Sequence, residues 1–185
     1  MKQIFTLLIL GSLLSACGGP ATDSKNADTT GVDGAKKEAG KSEGSSTKWN
    51  YTNEVDKMTS KKKYFASIDS DNQLDFEFPY DGGSTASILV RKQDNSNEVL
   101  LSITKGQFIV GIDGGTVKVR FDDNKAMTFP CSEPSSGSSD LIFIGNEKKF
   151  IKNLKTAKKV LIQAEFYEAG LKEMEFSTAG FKWDH

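Results

Sequence analysis

Val117-Lys118-Val119-Arg120-Phe121 alternates apolar and basic residues one by one. A period of two puts one set of side chains on a core and the other in water, which is the pattern of an antiparallel strand. Leu74-Asp75-Phe76-Glu77-Phe78 repeats it with acidic residues, and Met174-Glu175-Phe176 repeats it near the C-terminus. Other runs are more continuously apolar: Ser87-Ile88-Leu89-Val90, Val99-Leu100-Leu101-Ser102-Ile103, Leu141-Ile142-Phe143-Ile144 and Val160-Leu161-Ile162. These are expected to be strands covered on both sides.

Turn chemistry punctuates the runs. Asp81-Gly82-Gly83, residues 93–97, Asp113-Gly114-Gly115 and Asp122-Asp123-Asn124-Lys125 read as hairpin connections. Residues 130–139, rich in Ser and Pro, read as a crossover. Asp69-Ser70-Asp71-Asn72 invites a calcium reading, but an EF-hand loop needs Gly at its sixth position and Glu at its twelfth. Leu74 and Tyr80 stand there, so a turn is the better account. One segment, residues 146–157, has helical spacing: Phe150, Ile151, Leu154 and Ala157 share a face. Asn146 is placed as its N-cap, Glu147 suits the first turn, and lysines accumulate toward the end. The expected fold is all-β, an antiparallel β-sandwich or partly open barrel with one short helix.

The apolar content begins abruptly at Trp49, so residues 49–185 are expected to form one domain with one core. The whole chain carries 24 Lys and Arg against 25 Asp and Glu, for a net charge of −1. That balance does not fit a nucleic-acid partner, which calls for a strongly basic surface. Residues 18–48 contain no aromatic residue and no Leu, Ile or Met. Such a segment cannot bury enough apolar surface to offset its ordering entropy and reads as a tether.

Ahead of it, Met1-Lys2-Gln3 precedes IFTLLILGSLL at residues 4–14, and small residues follow. Residues 1–16 thus read as a secretory signal peptide, the apolar run being shorter than the roughly 20 residues of a membrane span. Leu14-Ser15-Ala16-Cys17 resembles the lipobox of bacterial lipoproteins. The resemblance implies lipid attachment at Cys17, cleavage before it, and a membrane partner reached through the lipid. Gly18, where an Asp would favour the inner membrane, implies the outer membrane, with the domain in the periplasm.

No catalytic constellation emerges. With Cys17 acylated, Cys131 has no intramolecular partner, and the one histidine, His185, is the last residue. No catalytic residue, metal site or cofactor is expected. Two groups of residues are candidates for a binding surface. Lys148, Lys149, Lys152 and Lys155 form a basic patch suited to anionic lipid or an acidic partner, or simply a solvated helix face. Trp49 and Trp183 bracket the domain and are expected to lie near each other, either as ligand contacts or as plugs at the edge of the core.

Trp49-Asn50-Tyr51, Asp56-Lys57-Met58-Thr59, FASIDSDN at 65–72, FPYDGG at 78–83, KGQF at 105–108 and Ala179-Gly180-Phe181-Lys182-Trp183 together resemble a group of small β-rich bacterial envelope proteins. In that group cysteines accompany the hairpin that here reads Val110-Gly111-Ile112-Asp113-Gly114, and their absence here departs from a disulfide-linked hairpin. The Trp49 and Met58-Thr59 opening and the last strand also resemble accessory periplasmic proteins of type VI secretion. The expected function is a non-enzymatic, lipid-anchored envelope protein whose domain binds another envelope component, protein or glycan. The alternatives are an accessory factor of a secretion system and a carboxylate-dependent envelope hydrolase.

Overall fold

The computed structural model describes residues 47–185. The expected signal peptide, Cys17 and the tether as far as residue 46 lie outside the described residues. The elements follow in the order β1 (Asn50–Val55), β2 (Lys62–Leu74), β3 (Ser84–Gln93), β4 (Ser96–Ile103), β5 (Gly115–Phe121), β6 (Met127–Ser132), β7 (Leu141–Ile144), α1 (Glu147–Leu154), β8 (Lys159–Phe166) and β9 (Gly170–Ser177). The nine strands form one sheet, ordered β1-β2-β3-β4-β7-β6-β5-β8-β9, and every neighbouring pair is antiparallel. The fold is all-β with a single short helix among the described residues. The sheet curls over its own core like a sandwich and is not closed into a barrel.

Alternation decides which face is inside. In β5, Val117, Val119 and Phe121 are buried while Lys118 and Arg120 are exposed. Ala86, Ile88 and Val90 do the same in β3, and Met174 and Phe176 in β9. Each large apolar side chain removed from water in this way contributes about 1.5–3 kcal/mol. The continuous apolar runs are different. Leu89, Leu100 and Phe143 are cross-strand neighbours on the outer face, where Arg91 lies over the Phe143 ring and pairs with Glu98. Leu100 is buried there, but Leu89 and Phe143 stay half-buried, so these strands are not covered on both sides throughout.

Two connections exchange the roles expected of them. β4 and β5 do not pair. The 113–115 turn closes on itself through a Gly111–Gly114 bridge, and the β4–β5 connection passes over β7 and β6. Conversely, Pro130, Cys131 and Ser132 belong to β6, and residues 133–140 join β6 to its antiparallel neighbour β7. The crossover is therefore the first loop, not the second. Of the other turns, Asp94-Asn95 closes β3 on β4 and residues 122–126 close β5 on β6, as hairpins.

Asp69-Ser70-Asp71-Asn72 is not a turn. It lies within β2 as a bulge, where the register jumps between Asp69 and Gln73. The Ser70 hydroxyl compensates locally, accepting from Ala86 N (3.1 Å) and donating to Asn72 O (2.7 Å). The bulge has a structural use. β1 covers only the Lys62–Ser67 part of the β2 edge. Past that point β9 comes up against β2, and Asn72 bridges them: its Nδ2 donates to Glu173 O (2.9 Å) and its Oδ1 accepts from Glu175 N (2.8 Å). One amide side chain thus reproduces a pair of ladder hydrogen bonds and seals an edge that would otherwise be open.

α1 caps one end of the curled sheet. Phe150 meets Phe121 and Phe129 edge-on, with centroids 5.3 and 5.5 Å away, and Ile151, Leu154 and Ala157 are buried beside it. The helix is shorter than its apolar pattern. Asn146 precedes it in a left-handed conformation and makes no side-chain cap bond, so the expected N-cap interaction is absent. The C-terminal tail packs at the same end. Thr178 donates from N to Lys158 O (2.8 Å) and from Oγ1 to Ala157 O (3.1 Å), immediately after the helix.

Candidate functional site

The two tryptophans lie on either side of Phe181 at the α1 end, though not through paired strands, since β1 and β9 are opposite margins of the sheet. Trp49 Nε1 donates to Thr178 O (3.0 Å), and the Phe181 ring stands 4.5 Å from Trp49 and 6.3 Å from Trp183. Trp183 Nε1 donates to Asn97 Oδ1 (3.1 Å). Trp49 is 6 % exposed and Trp183 3 %. The structure therefore places both in the core, with little ring surface left for a ligand. His185 does not dangle: it stacks on Tyr64 with centroids 3.8 Å apart.

Thr47 and Lys48, expected in the tether, already touch the domain. The Thr47 side chain occupies the space a side chain at Gly180 would need, and Gly180 also has φ 82°. Lys48 forms an ion pair with Asp71. The chain therefore enters the domain at the end that carries α1. Lys148, Lys149, Lys152 and Lys155 are all exposed there, and no ion pair engages them among the described residues. Lys149 extends over the Phe129 ring at 5.6 Å.

A concavity of about 750 Å³ forms a trough on the outer face of β8 and β9. Asp71, Glu173 and Glu175 face it together with Arg120, Lys158 and Lys159. Most of its acids hold structural partners. Asp122 Oδ1 accepts the backbone N–H groups of Lys158 and Lys159, each at 2.8 Å, and Glu173 accepts from Gln163. For Asp71, burial pushes the carboxyl upward, but Lys48 and the Ser177 hydroxyl outweigh it and hold the group below its ordinary range. That is the wrong direction for a general acid at neutral pH.

Cys131 lies on the inner face of β6 against Gly115, where burial raises its thiol and the Gly115 N–H offsets part of the rise. A neutral, enclosed thiol is a poor nucleophile. Among the described residues, no group of acids, cysteine and histidine has the arrangement to hold a metal ion, and no helix is long and apolar enough to cross a membrane.

A second recess, a cleft of about 210 Å³, lies at the other end of the sheet. β8 connects the two ends, starting just after the helix at Lys159 and finishing at Phe166. Its eight residues span about 25 Å at strand geometry. Phe76 is at the base of the cleft, and Phe78, Tyr80, Tyr167, Glu77 and Glu168 are among its walls. Gln107 ties the sides together: Nε2 donates to Tyr80 Oη (2.6 Å), and its carbonyl accepts from Tyr167 N (2.9 Å). Gly106, at φ 105°, lets the chain pass within contact of the Phe76 ring, where a side chain would collide. Phe78 is 88 % exposed and Tyr167 56 %. Two large aromatic rings left in water beside one recess make this end a candidate contact surface.

The sequence reading missed this cleft. The run Leu74–Phe78, expected as a strand, leaves the sheet at Leu74, where β2 ends, because Phe78-Pro79-Tyr80 turns the chain instead; aromatic residues in this connecting segment and in Tyr167-Glu168 were the signal. No protein-family model matches the chain, and neither the curated proteins nor the solved structures include a match to it.

Proposed function

We propose that this chain is a lipid-anchored, non-enzymatic envelope protein, held in the outer membrane through Cys17 and presenting its β domain in the periplasm to another envelope component, protein or glycan. The observation that carries the reading is the division of labour between the two ends. The chain arrives at the α1 end, beside a helix whose exposed lysines suit an anionic surface at about 1 kcal/mol each. The opposite end carries the aromatic cleft. A domain tethered in this way turns its binding face outward. Three of the five acids of the trough, Asp71, Asp122 and Glu173, are committed to Lys48 and Ser177, to backbone amides and to Gln163, which favours binding over acid–base chemistry.

The lipobox-like Leu14-Ser15-Ala16-Cys17 supplies the anchor. Growing cells that express the full chain with radiolabelled palmitate tests it directly. The expected result is label on the wild-type protein in the outer-membrane fraction, and none on Cys17→Ser. Label retained by Cys17→Ser, or wild-type protein without label, refutes the anchor.

A further inference from the structure

We propose that the cleft between Phe78 and Tyr167 receives the ammonium group of a lysine side chain presented by a partner protein. The proposal extends the binding reading above by naming the chemistry of the contact. It does not depend on the anchor, so the palmitate experiment and the one below fail separately.

The argument starts from the composition of the cleft. Phe76, Phe78, Tyr80 and Tyr167 line it with aromatic rings, and Glu77 and Glu168 supply negative charge. Aromatic faces attract cations through the ring quadrupole within about 6 Å of the centroid. Carboxylates beside them add charge and accept N–H hydrogen bonds. The structure already contains one such contact here, for the Lys172 ammonium lies 5.9 Å from the centroid of Phe76.

The field of this end agrees. Asp75 adjoins Phe76 in the chain and Glu165 stands two residues before Tyr167, while Lys172 sits over Phe76 and Lys105 is held by the Asp81 carbonyl at 2.6 Å. Glu168 also acts on its neighbour, since a hydrogen bond from Tyr167 to its carboxylate, together with its charge, raises the phenol above its ordinary range. An anionic ligand is excluded by this arrangement. A neutral sugar would gain nothing from the negative charge of Glu77 and Glu168. A quaternary ammonium has no N–H groups to give them. A primary ammonium satisfies both the rings and the acceptors, and the cleft is of a size for one side chain rather than for a polymer.

The test is titration of the ¹⁵N-labelled full chain with Nα-acetyl-lysine methylamide, followed by amide shifts of Tyr167, Glu168 and Gln107. Choline and maltohexaose are the comparison probes. Probe concentrations run to about 50 mM, above the millimolar affinity that several ring and carboxylate contacts provide together. The expected result is saturable shifts with the lysine probe that weaken severalfold between low and high salt. They should vanish in Glu168→Gln and in Tyr167→Ala, two exposed turn positions whose variants retain the wild-type melting temperature. Choline binding as tightly as the lysine probe, maltohexaose binding in its place, saturation by no probe, or a lysine response that survives both variants overturns the proposal.

Discussion

Removing the Asn72 side chain should open the seam between β2 and β9. Asn72→Ala deletes two hydrogen bonds, of 2.9 Å to Glu173 O and 2.8 Å from Glu175 N. Each such bond contributes about 0.5–1.5 kcal/mol net, so the loss is about 1–3 kcal/mol. For a domain of this size that lowers the melting temperature by about 3–10 °C. Asn72→Asp is no rescue, because it sets an oxygen against the Glu173 carbonyl in place of the donor. Urea unfolding gives the global number, and amide exchange gives the local one. Glu175 N–H should lose protection more than the amides of β8, which are paired on both sides. A Glu175 amide as well protected in Asn72→Ala as in wild type, with the unfolding midpoint unmoved, refutes the claim that this side chain stands in for a ladder.

The Asp71 carboxyl binds its proton less readily folded than unfolded, so its contribution is present above the unfolded value, about 3.9, and is lost as pH falls through the lower folded one. Urea midpoints between about pH 6 and pH 2 should therefore fall less steeply in Asp71→Asn than in wild type; parallel curves contradict this. Trp49→Ala and Trp183→Ala should each cost about 3–5 kcal/mol, and because both rings pack on Phe181 the double variant should lose less than the sum. Losses under about 1 kcal/mol that simply add would remove both from the core. Glu168→Asn should raise stability by about 1 kcal/mol in thermal unfolding while abolishing the response to the lysine probe, and a stability loss would refute the strain assigned to that turn.

Two period-two stretches, Val117–Phe121 and Met174–Phe176, were legible because burial acts on single residues; Leu74–Phe78 was not, since β2 ends at Leu74 and Phe78 is 88 % exposed. Val117, Val119 and Phe121 had to face one way, and they do. Connectivity was not legible, because a turn sequence records local backbone preference and not which strand lies alongside. Asp113-Gly114-Gly115 is a genuine tight turn, closed by the Gly111–Gly114 bridge, yet the strand that precedes it pairs elsewhere. Asp69–Asn72 failed for a related reason. Polar residues that satisfy their own backbone are typical of turns, but here they satisfy a bulge and the backbone of a strand about a hundred positions away. The lysines of α1 could be placed on an exposed helical face from spacing alone. That the chain enters beside them required Thr178, which joins Trp49 to Ala157 and has no signature in the sequence.

Backbone strain separates the cleft from the rest of the fold. Five described residues other than glycine have positive φ: Ser60, Asp94, Asp122, Asn146 and Glu168. Asp and Asn tolerate the left-handed region because their short side chains bond the local backbone, and Ser has a similar, weaker capacity. Asp122 uses its place otherwise, one oxygen accepting the backbone N–H groups of Lys158 and Lys159 across the sheet end. Glu168 accepts no backbone N–H group with its side chain among the described residues. Its longer side chain leaves the turn and meets Tyr167, at a position where Asn or Gly would relieve about 1 kcal/mol. A hairpin turn selected for stability alone has no reason to retain a glutamate there. Strain of this kind persists where the surrounding structure fixes it and the side chain has another task. The cleft beside it supplies one, because Glu168 sets a carboxylate against an exposed tyrosine ring at the end of the domain farthest from the lysines of α1.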